Sequence, residues 1–136
     1  MKLLLLYVHD YWLKPFERSL PEAPEAPAGV ETGPAVVALI HVEAEDPERQ
    51  DKLVTKAIKN IKWLAGKFET RTVVLHSFAH LAATRAEPER ADALLGAMRE
   101  RLAGADYAVH TTPFGWFNEF RLHVAGPSLA KVFVEL

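Results

Sequence analysis

Two histidines four residues apart are the first residues whose spacing suggests chemistry. On a helix, His76 and His80 would share one face, as paired zinc ligands do. No glutamate stands between them, as it does in metalloprotease helices, and His76 ends an apolar run of strand type. The pattern therefore favours a polar strand end with His80 as one site histidine. We predict no metal and no cofactor, since the chain also lacks glycine-rich nucleotide motifs.

The tetrapeptide Ser77, Phe78, Ala79 and His80 follows directly on that apolar run. Ligand sites in α/β folds tend to lie at the carboxyl ends of strands, which makes this tetrapeptide a candidate site segment. A loop histidine satisfied by its neighbours is the alternative, and these residues alone leave both interpretations open.

A second candidate segment, residues 113–117 (PFGWF), concentrates aromatic rings around one glycine. A tight turn whose rings fill the core is one interpretation. Gly115 favours a site wall instead, because a residue without a side chain lets the backbone approach a ligand closely. Trp116 and Phe117 would point to opposite sides of an extended chain, so we do not expect both to fill the same core.

Composition limits the classes of partner and compartment. A chain of 136 residues with a net charge of −2 fits one domain without a general attraction for nucleic acid. Four arginines could contact phosphate, although arginines on helix exteriors usually form a solvated face: Arg85, Arg90, Arg99 and Arg101. The absence of cysteine excludes disulfides and thiol nucleophiles and is compatible with a cytoplasmic protein.

The elements that must position these residues follow from periodicity. Apolar or alternating runs predict strands at 2–8, 35–42, 70–75, 105–110 and 120–124, and three-and-four spacing predicts helices at 46–67 and 87–104. Asp46 is predicted to cap the first helix and Gly66 to close it. The proline-rich stretch 20–34 is predicted to be a loop, and residues 128–136 a short helix or a last strand. The predicted fold is α/β (α+β), a sheet or partial barrel covered by two amphipathic helices.

The two ends of the chain carry separate expectations. The opening MKLLLLYVHD has an apolar run of only about seven residues and no small-residue cleavage site, so we read it as a buried first strand that ends at His9 and Asp10. No membrane segment is predicted. The apolar end at residues 133–136 is compatible with a domain cut from a longer chain, of which 1–136 would be the N-terminal part.

Together, these segments resemble the archaeal threonyl-tRNA synthetase N-terminal editing domain. The resemblance covers nearly the whole chain and is specific in Phe78-Ala79-His80-Leu81 and in the segment 113–117; the other segments that carry it are His9-Asp10-Tyr11, the strand 36–42 with Glu43, and Gly126 after the last predicted strand. It implies a fold similar to D-aminoacyl-tRNA deacylases, a homodimer, and removal of serine mischarged onto threonine tRNA. The partners it implies are the serine-carrying 3′ end of that tRNA and a synthetase catalytic domain, in cis or in trans.

The resemblance also implies the site. It places Phe78, Ala79 and His80 on one wall and Val42 near the floor of a pocket lined by main-chain atoms, with the RNA's own 2′-hydroxyl assisting the chemistry. The opposite wall would consist of Phe114, Gly115, Trp116, Phe117 and Asn118.

Two segments depart from the family pattern. Trp116, Phe117 and Asn118 stand where two tyrosines and a lysine are familiar, and Lys131 stands where a glutamate is familiar. The exchange suggests the hypothesis that the amine has moved to the opposite wall. Lys131 would then position the water or the ribose hydroxyl, with His80 as the alternative proton carrier.

Ester hydrolysis also needs donors aimed at the developing oxyanion, and backbone N–H groups around Ala79 and Gly115 are predicted to supply them. Three other interpretations stay open: a D-aminoacyl-tRNA deacylase, a dimerisation or tRNA-binding appendage without activity, and a domain that binds a small regulatory ligand. The serine-glutamine motif of D-aminoacyl-tRNA deacylases is absent from this chain.

Overall fold

The computed structural model describes residues 1–136 as one seven-stranded sheet with two helices. The strands are β1 Lys2–Arg18, β2 Val30–Thr32, β3 Ala35–His41, β4 Thr72–Ser77, β5 Ala108–Thr111, β6 Trp116–Val124 and β7 Lys131–Glu135. The helices are α1 Gln50–Lys67 and α2 Pro88–Gly104, and short 3-10 turns cover Asp46–Arg49 and Ser128–Ala130. No helix is long and apolar enough to cross a membrane.

The long strand β1 organises the sheet, because it pairs with four other strands. Antiparallel β3 and β2 lie along one of its edges, and antiparallel β7 and β6 lie along the other. From β3 the sheet continues through β4 and β5, which are parallel to it. Register shifts at His9 and Phe16 mark bulges, and bulges bend a strand and raise its twist.

The predicted end of the first strand at His9 and Asp10 is wrong. β1 runs through both residues to Arg18, because the bulge at His9 lets its backbone exchange β7 for β6 as the pairing partner. The short strand β2 was not predicted inside the proline-rich stretch, and it pairs only with residues 11–13 of β1.

Both helices pack on one face of the sheet. The predicted apolar stripes are buried there, in a cluster of 21 residues that joins the helices to β1, β3 and β4. The predicted cap is wrong, since the Asp46 carboxylate instead accepts the Met1 ammonium at 3.1 Å and the Glu43 N–H at 2.6 Å. A 3-10 turn therefore precedes α1, which ends at Lys67, one residue beyond Gly66.

The opposite face carries no helix. Its smaller cluster has eight buried residues, drawn from β1, β3 and β4. At its edge the Tyr11 hydroxyl and Nδ1 of His76 share a hydrogen bond of 2.8 Å, with both side chains almost fully buried. Phe120 and Phe133 on the flanking strands keep 37% and 54% of their surface exposed, so this face is only partly covered by the chain itself.

Candidate active site

A cavity of about 520 Å³ opens where β3, β4 and β5 reach their carboxyl ends. Parallel strands deliver their following loops to one edge, which is where ligand sites of such sheets form. Three segments line most of it, namely the loop after β4, the first three turns of α2, and the chain from Thr111 into β6. Its volume lies in the range of small-molecule sites, roughly 300 to 1,000 Å³.

The loop after β4 is held by a buried histidine. His41 at the end of β3 donates from Nε2 to the Thr84 carbonyl at 2.6 Å, and its Nδ1 accepts the N–H groups of Leu81 and Ala82. The Phe78 N–H donates to the Ile40 carbonyl at 2.8 Å. These bonds fix both ends of the tetrapeptide, so Ala79 is placed at the cavity by backbone geometry and not by its own side chain.

The wall opposite is a turn latched to the proline-rich segment. Gly115 has a φ of +73°, a left-handed conformation that favours glycine, and its carbonyl accepts the N–H groups of Ser19 and Leu20. A Cβ at this position would lie 2.6 Å from the Cβ of Ala23. The Trp116 indole N–H donates to the Pro24 carbonyl at 2.8 Å.

Two backbone donors on the cavity have no partner within the chain. The N–H groups of Ala79 and Gly115 make no intramolecular hydrogen bond, although both residues are partly buried and both line the cavity. Nearly all buried backbone donors in folded proteins are paired, so unused donors at a cavity indicate a place for an acceptor. Asn118 adds a side-chain group, because its buried Oδ1 also lacks a partner.

The charged side chains of the lining are Arg85, Asp92 and Arg99. Burial raises the pKa of the Asp92 carboxyl, and this residue forms no ion pair. Neither Arg85 nor Arg99 is therefore paired with this carboxylate. No three acidic or histidine side chains converge to hold a metal ion.

Comparison with known proteins identifies the family. The model of the archaea-specific editing domain of threonyl-tRNA synthetase matches residues 1–136. The chain belongs to this family. The editing domain is 33% identical over 98 residues to the threonine–tRNA ligase of Methanoregula boonei, covering 72% of this chain and 16% of the relative. It is 29% identical over 138 residues to that of Hyperthermus butylicus, covering 97% and 22%. It thus spans about a fifth of such relatives.

A solved structure confirms the architecture. The c-Myc DNA Unwinding Element Binding Protein superposes on the editing domain with a TM-score of 0.69, covering 100% of this chain and 99% of that chain at 14% identity. At that identity the likeness concerns the fold alone. The predicted D-aminoacyl-tRNA deacylase-like fold, a sheet with two helices, is confirmed.

The editing domain brings most of the predicted substrate-binding residues to one cavity. They are Val42, Ala79, Phe114, Gly115, Trp116, Phe117 and Asn118. Phe78 does not line it, because its ring turns to the helix-free face and packs against His76, His80 and Phe120.

The two residues predicted to be catalytic lie outside the cavity lining. The His80 ring is exposed beside Phe78 at 4.9 Å between centroids. The Lys131 ammonium donates to the carbonyls of Ala125, Gly126 and Pro127 at 2.9 to 3.2 Å. In this arrangement Lys131 holds the turn before β7 together, so the lysine missing at Asn118 is not replaced within the cavity.

The wall formed by α2 was missed in the sequence. Its lining residues recur at three-and-four spacing on one helix face: Pro88, Ala91, Asp92, Leu95, Gly96 and Arg99. The available signal was the small pair Ala91 and Gly96, which leaves a shallow strip beside the apolar stripe. Periodicity indicated only that the apolar stripe of α2 packs on the core. It gave no reason to expect that the neighbouring face of α2 lines a cavity.

Proposed function

We propose that this editing domain hydrolyses the ester that links L-serine to the terminal adenosine of threonine tRNA. The family supports a proofreading role. The observation that carries the proposal is the pair of unused backbone donors, Ala79 N–H and Gly115 N–H, on facing walls of one cavity.

The reaction requires little of the side chains. Water attacks the ester carbonyl, the carbon–oxygen bond to the ribose breaks, and the products are serine and a free ribose hydroxyl. Backbone N–H groups stabilise the oxyanion that forms on the way, and a fixed donor of this kind is worth about 10²- to 10³-fold in kcat. The neighbouring ribose hydroxyl is proposed to orient the water, since no lining side chain is a histidine or lysine.

Selectivity for serine is proposed to arise by exclusion. A methyl group changes binding by only about 1 to 3 kcal/mol, so a pocket that rejects threonine must do so sterically. Val42 is 5% exposed at the cavity, and Ala79 and Gly115 carry almost no side chain. We propose that the serine side chain lies among these three residues.

The direct test is deacylation of seryl-, threonyl- and D-tyrosyl-tRNA by the purified chain. We expect seryl ester to be hydrolysed at least about tenfold faster than threonyl ester, the discrimination that one excluded methyl permits. Preference for the D-tyrosyl ester would favour a D-aminoacyl-tRNA deacylase. Binding of tRNA without hydrolysis above the uncatalysed rate would identify an inactive appendage, and binding of free amino acid alone a regulatory domain.

Two variants test the placement of the substrate. Val42→Ala enlarges the pocket and is expected to raise threonyl hydrolysis relative to seryl hydrolysis by up to about tenfold. Ala79→Pro removes the N–H donor and is expected to lower kcat about 10²-fold, whereas Ala79→Gly keeps the donor and most of the activity. Equal activity of the proline and glycine variants, both folded by thermal unfolding, would contradict the role of this donor.

The roles predicted for Lys131 and His80 remain proposals that the same assay tests. Lys131→Ala is expected to lower thermal stability, because three carbonyls lose their donor, with kcat for seryl-tRNA little changed. A loss of kcat at unchanged stability would restore Lys131 as a positioning residue. His80→Ala is expected to preserve the pH profile of kcat, and loss of one limb of that profile would instead make His80 the proton carrier.

A homodimer through the helix-free face is the oligomeric state we propose. Phe133 pairs with Leu4 across β7 and β1, next to the smaller cluster, and more than half of its ring surface is exposed. Phe133→Glu is expected to yield a monomer in analytical ultracentrifugation. The matched control is Trp63→Glu, which changes an exposed aromatic residue of α1 and should leave the dimer intact.

A further inference from the structure

The cavity is elongated along α2, and this shape suggests more than a pocket for one amino acid. Its α2 wall runs from Pro88 to Arg99 on a single helix face. Eleven residue steps of about 1.5 Å make this wall about 16 Å long. The proposed reaction centre at Ala79 and Gly115 occupies only part of this cavity. We call the rest of the cavity the α2 groove and define it by the lining residues of α2 together with Arg85.

The arginines of the chain fall into two groups. Five of the eight are engaged by the chain itself, through carboxylates, carbonyls, a hydroxyl or an aromatic ring: Arg18, Arg49, Arg71, Arg101 and Arg121. The other three side chains make no hydrogen bond, ion pair or ring contact within the chain. They belong to Arg85, Arg90 and Arg99. Two of these three, Arg85 and Arg99, line the α2 groove.

Along the chain, these two arginines flank the other lining residues of the groove. Arg85 precedes α2 and Arg99 lies at the end of its lining face, with Asp92 as the one carboxylate between them. In a chain of net charge −2, the lining of this groove carries two guanidinium groups and one carboxylate. Guanidinium groups bind phosphate through paired hydrogen bonds, which makes them suited to a ligand with repeated phosphates.

We infer that Arg85 and Arg99 bind backbone phosphates of a single-stranded RNA end whose terminal nucleoside enters the cavity. The inference rests on the proposed function for the identity of that RNA, the aminoacylated acceptor end of a tRNA. The aminoacyl ester would lie between Ala79 and Gly115, and the preceding nucleotides would follow α2.

Gly96 supplies an independent way to probe the groove. It belongs to the α2 lining, and a Cβ built on it meets no atom within 4 Å. A large side chain at this position would project into open space without disturbing the core. Ligand backbone passing along α2 would collide with it.

The test compares two ligands that differ only in phosphate. One is an acceptor-stem RNA ending in a non-hydrolysable 3′-seryl amide, and the other is the same seryl amide of adenosine without any phosphate. The variant R85A/R99A is expected to weaken RNA binding at least about tenfold and to reduce the salt slope by about two. Its affinity for the nucleoside is expected to stay unchanged.

Arg90→Ala is the matched control, since the Arg90 side chain also lacks an internal partner and lies on α2. It lines a neighbouring acidic depression with Glu22, Glu87 and Glu89, which shares only Pro88 with the groove. This variant should change neither affinity. Asp92→Asn removes the opposing charge and is expected to tighten RNA binding about two- to threefold, an effect that salt abolishes. RNA affinity and salt slope unchanged in R85A/R99A, or an equal loss for the nucleoside, would overturn the inference.

Gly96 variants cover the case in which the double variant folds poorly. Gly96→Phe is expected to weaken RNA binding, whereas Gly96→Ala should keep it, with both unfolding at or above the wild-type temperature. RNA binding unaffected by Gly96→Phe would also contradict the groove. These measurements use no turnover, so a domain that fails to hydrolyse seryl-tRNA but shows the phosphate-dependent loss would disprove the proposed function and keep the RNA site.

Discussion

The two faces of the sheet solve the burial problem differently. The helix-covered face is closed by the chain's own apolar residues, 21 of them in one cluster, whose one charged group is the N-terminal ammonium of Met1, paired with Glu43 and Asp46. The helix-free face has a smaller cluster, a buried hydroxyl–imidazole pair, and phenylalanines that stay partly exposed. We therefore expect the first face to contribute most of the stability and the second to be the more sensitive to pH.

Shortening a buried side chain in the helix-covered core should have the largest effect on stability. Leu94 of α2 is fully buried in the large cluster, so Leu94→Ala is expected to lower the free energy of unfolding by about 2 to 5 kcal/mol. Leu129→Ala, at a position 40% exposed, should cost far less. Denaturant unfolding measures both, and equal losses would break the contrast between core and periphery.

Acid should act through the helix-free face. Burial lowers the pKa of His76 from 6.5 to about 4, so the unfolded chain binds a proton at this residue that the folded chain resists. Stability is expected to fall as the pH drops from about 6.5 to about 4, by at most about 1.4 kcal/mol per pH unit from this group.

His76→Gln is the control for this pH dependence, because its amide oxygen still accepts the Tyr11 hydroxyl but does not titrate. Its unfolding free energy is expected to vary less between pH 6.5 and 4 than that of the wild type. Parallel curves for the two proteins would place the acid sensitivity elsewhere in the chain.

Removing the buried hydroxyl should have a smaller effect. Tyr11→Phe leaves Nδ1 of His76 without its partner at 2.8 Å, and an unpaired buried polar group costs about 1 to 3 kcal/mol. Tyr7→Phe is the matched control on the same strand, since the Tyr7 hydroxyl makes no hydrogen bond within the chain and its ring stacks on Phe68. A comparable loss in both variants would mean that the Tyr11 and His76 pair contributes no stability.

The smallest effect is expected at the edge of the helix-covered face. Gly96→Ala adds a methyl group in open space and favours the helix, so unfolding should require about 0.5 to 1 kcal/mol more. Gly29→Ala is expected to destabilise, because its Cβ would lie 2.5 Å from the Leu13 carbonyl oxygen. Thermal unfolding of the two variants should therefore move in opposite directions.

Periodicity predicted the two helices of the helix-covered face, because the spacing of their apolar residues can be read within each helix alone. α2 was expected from 87 to 104 and spans Pro88–Gly104, with its apolar residues at helical spacing facing the sheet. The predicted first strand ended too early, because the second half of β1 follows two polar residues and contains Pro15. What extends it to Arg18 is pairing with β6, more than a hundred residues away in sequence.

The site residues also divide into those that the sequence predicted and those whose place depends on contacts between distant segments. Ala79 and Gly115 were predicted from a resemblance to known motifs, and they lie at the cavity through backbone bonds that no single-residue pattern encodes. Phe78 lies next to Ala79 yet belongs to the other face, because successive residues of an extended segment point to opposite sides. The α2 wall was missed although the small pair Ala91 and Gly96 marked it, since this pair lines a groove only after the turn at Gly115 is placed opposite it.

The latch between the turn at Gly115 and the proline-rich segment couples two positions far apart in the sequence. A side chain added at Gly115 would collide with Ala23, and the Trp116 indole N–H donates to the Pro24 carbonyl, 92 residues away in sequence. We expect substitutions at 23 and 115 to be tolerated only in compensating pairs. We therefore expect the proline-rich segment to tolerate substitutions as a part of the site wall does, and not as a free linker does.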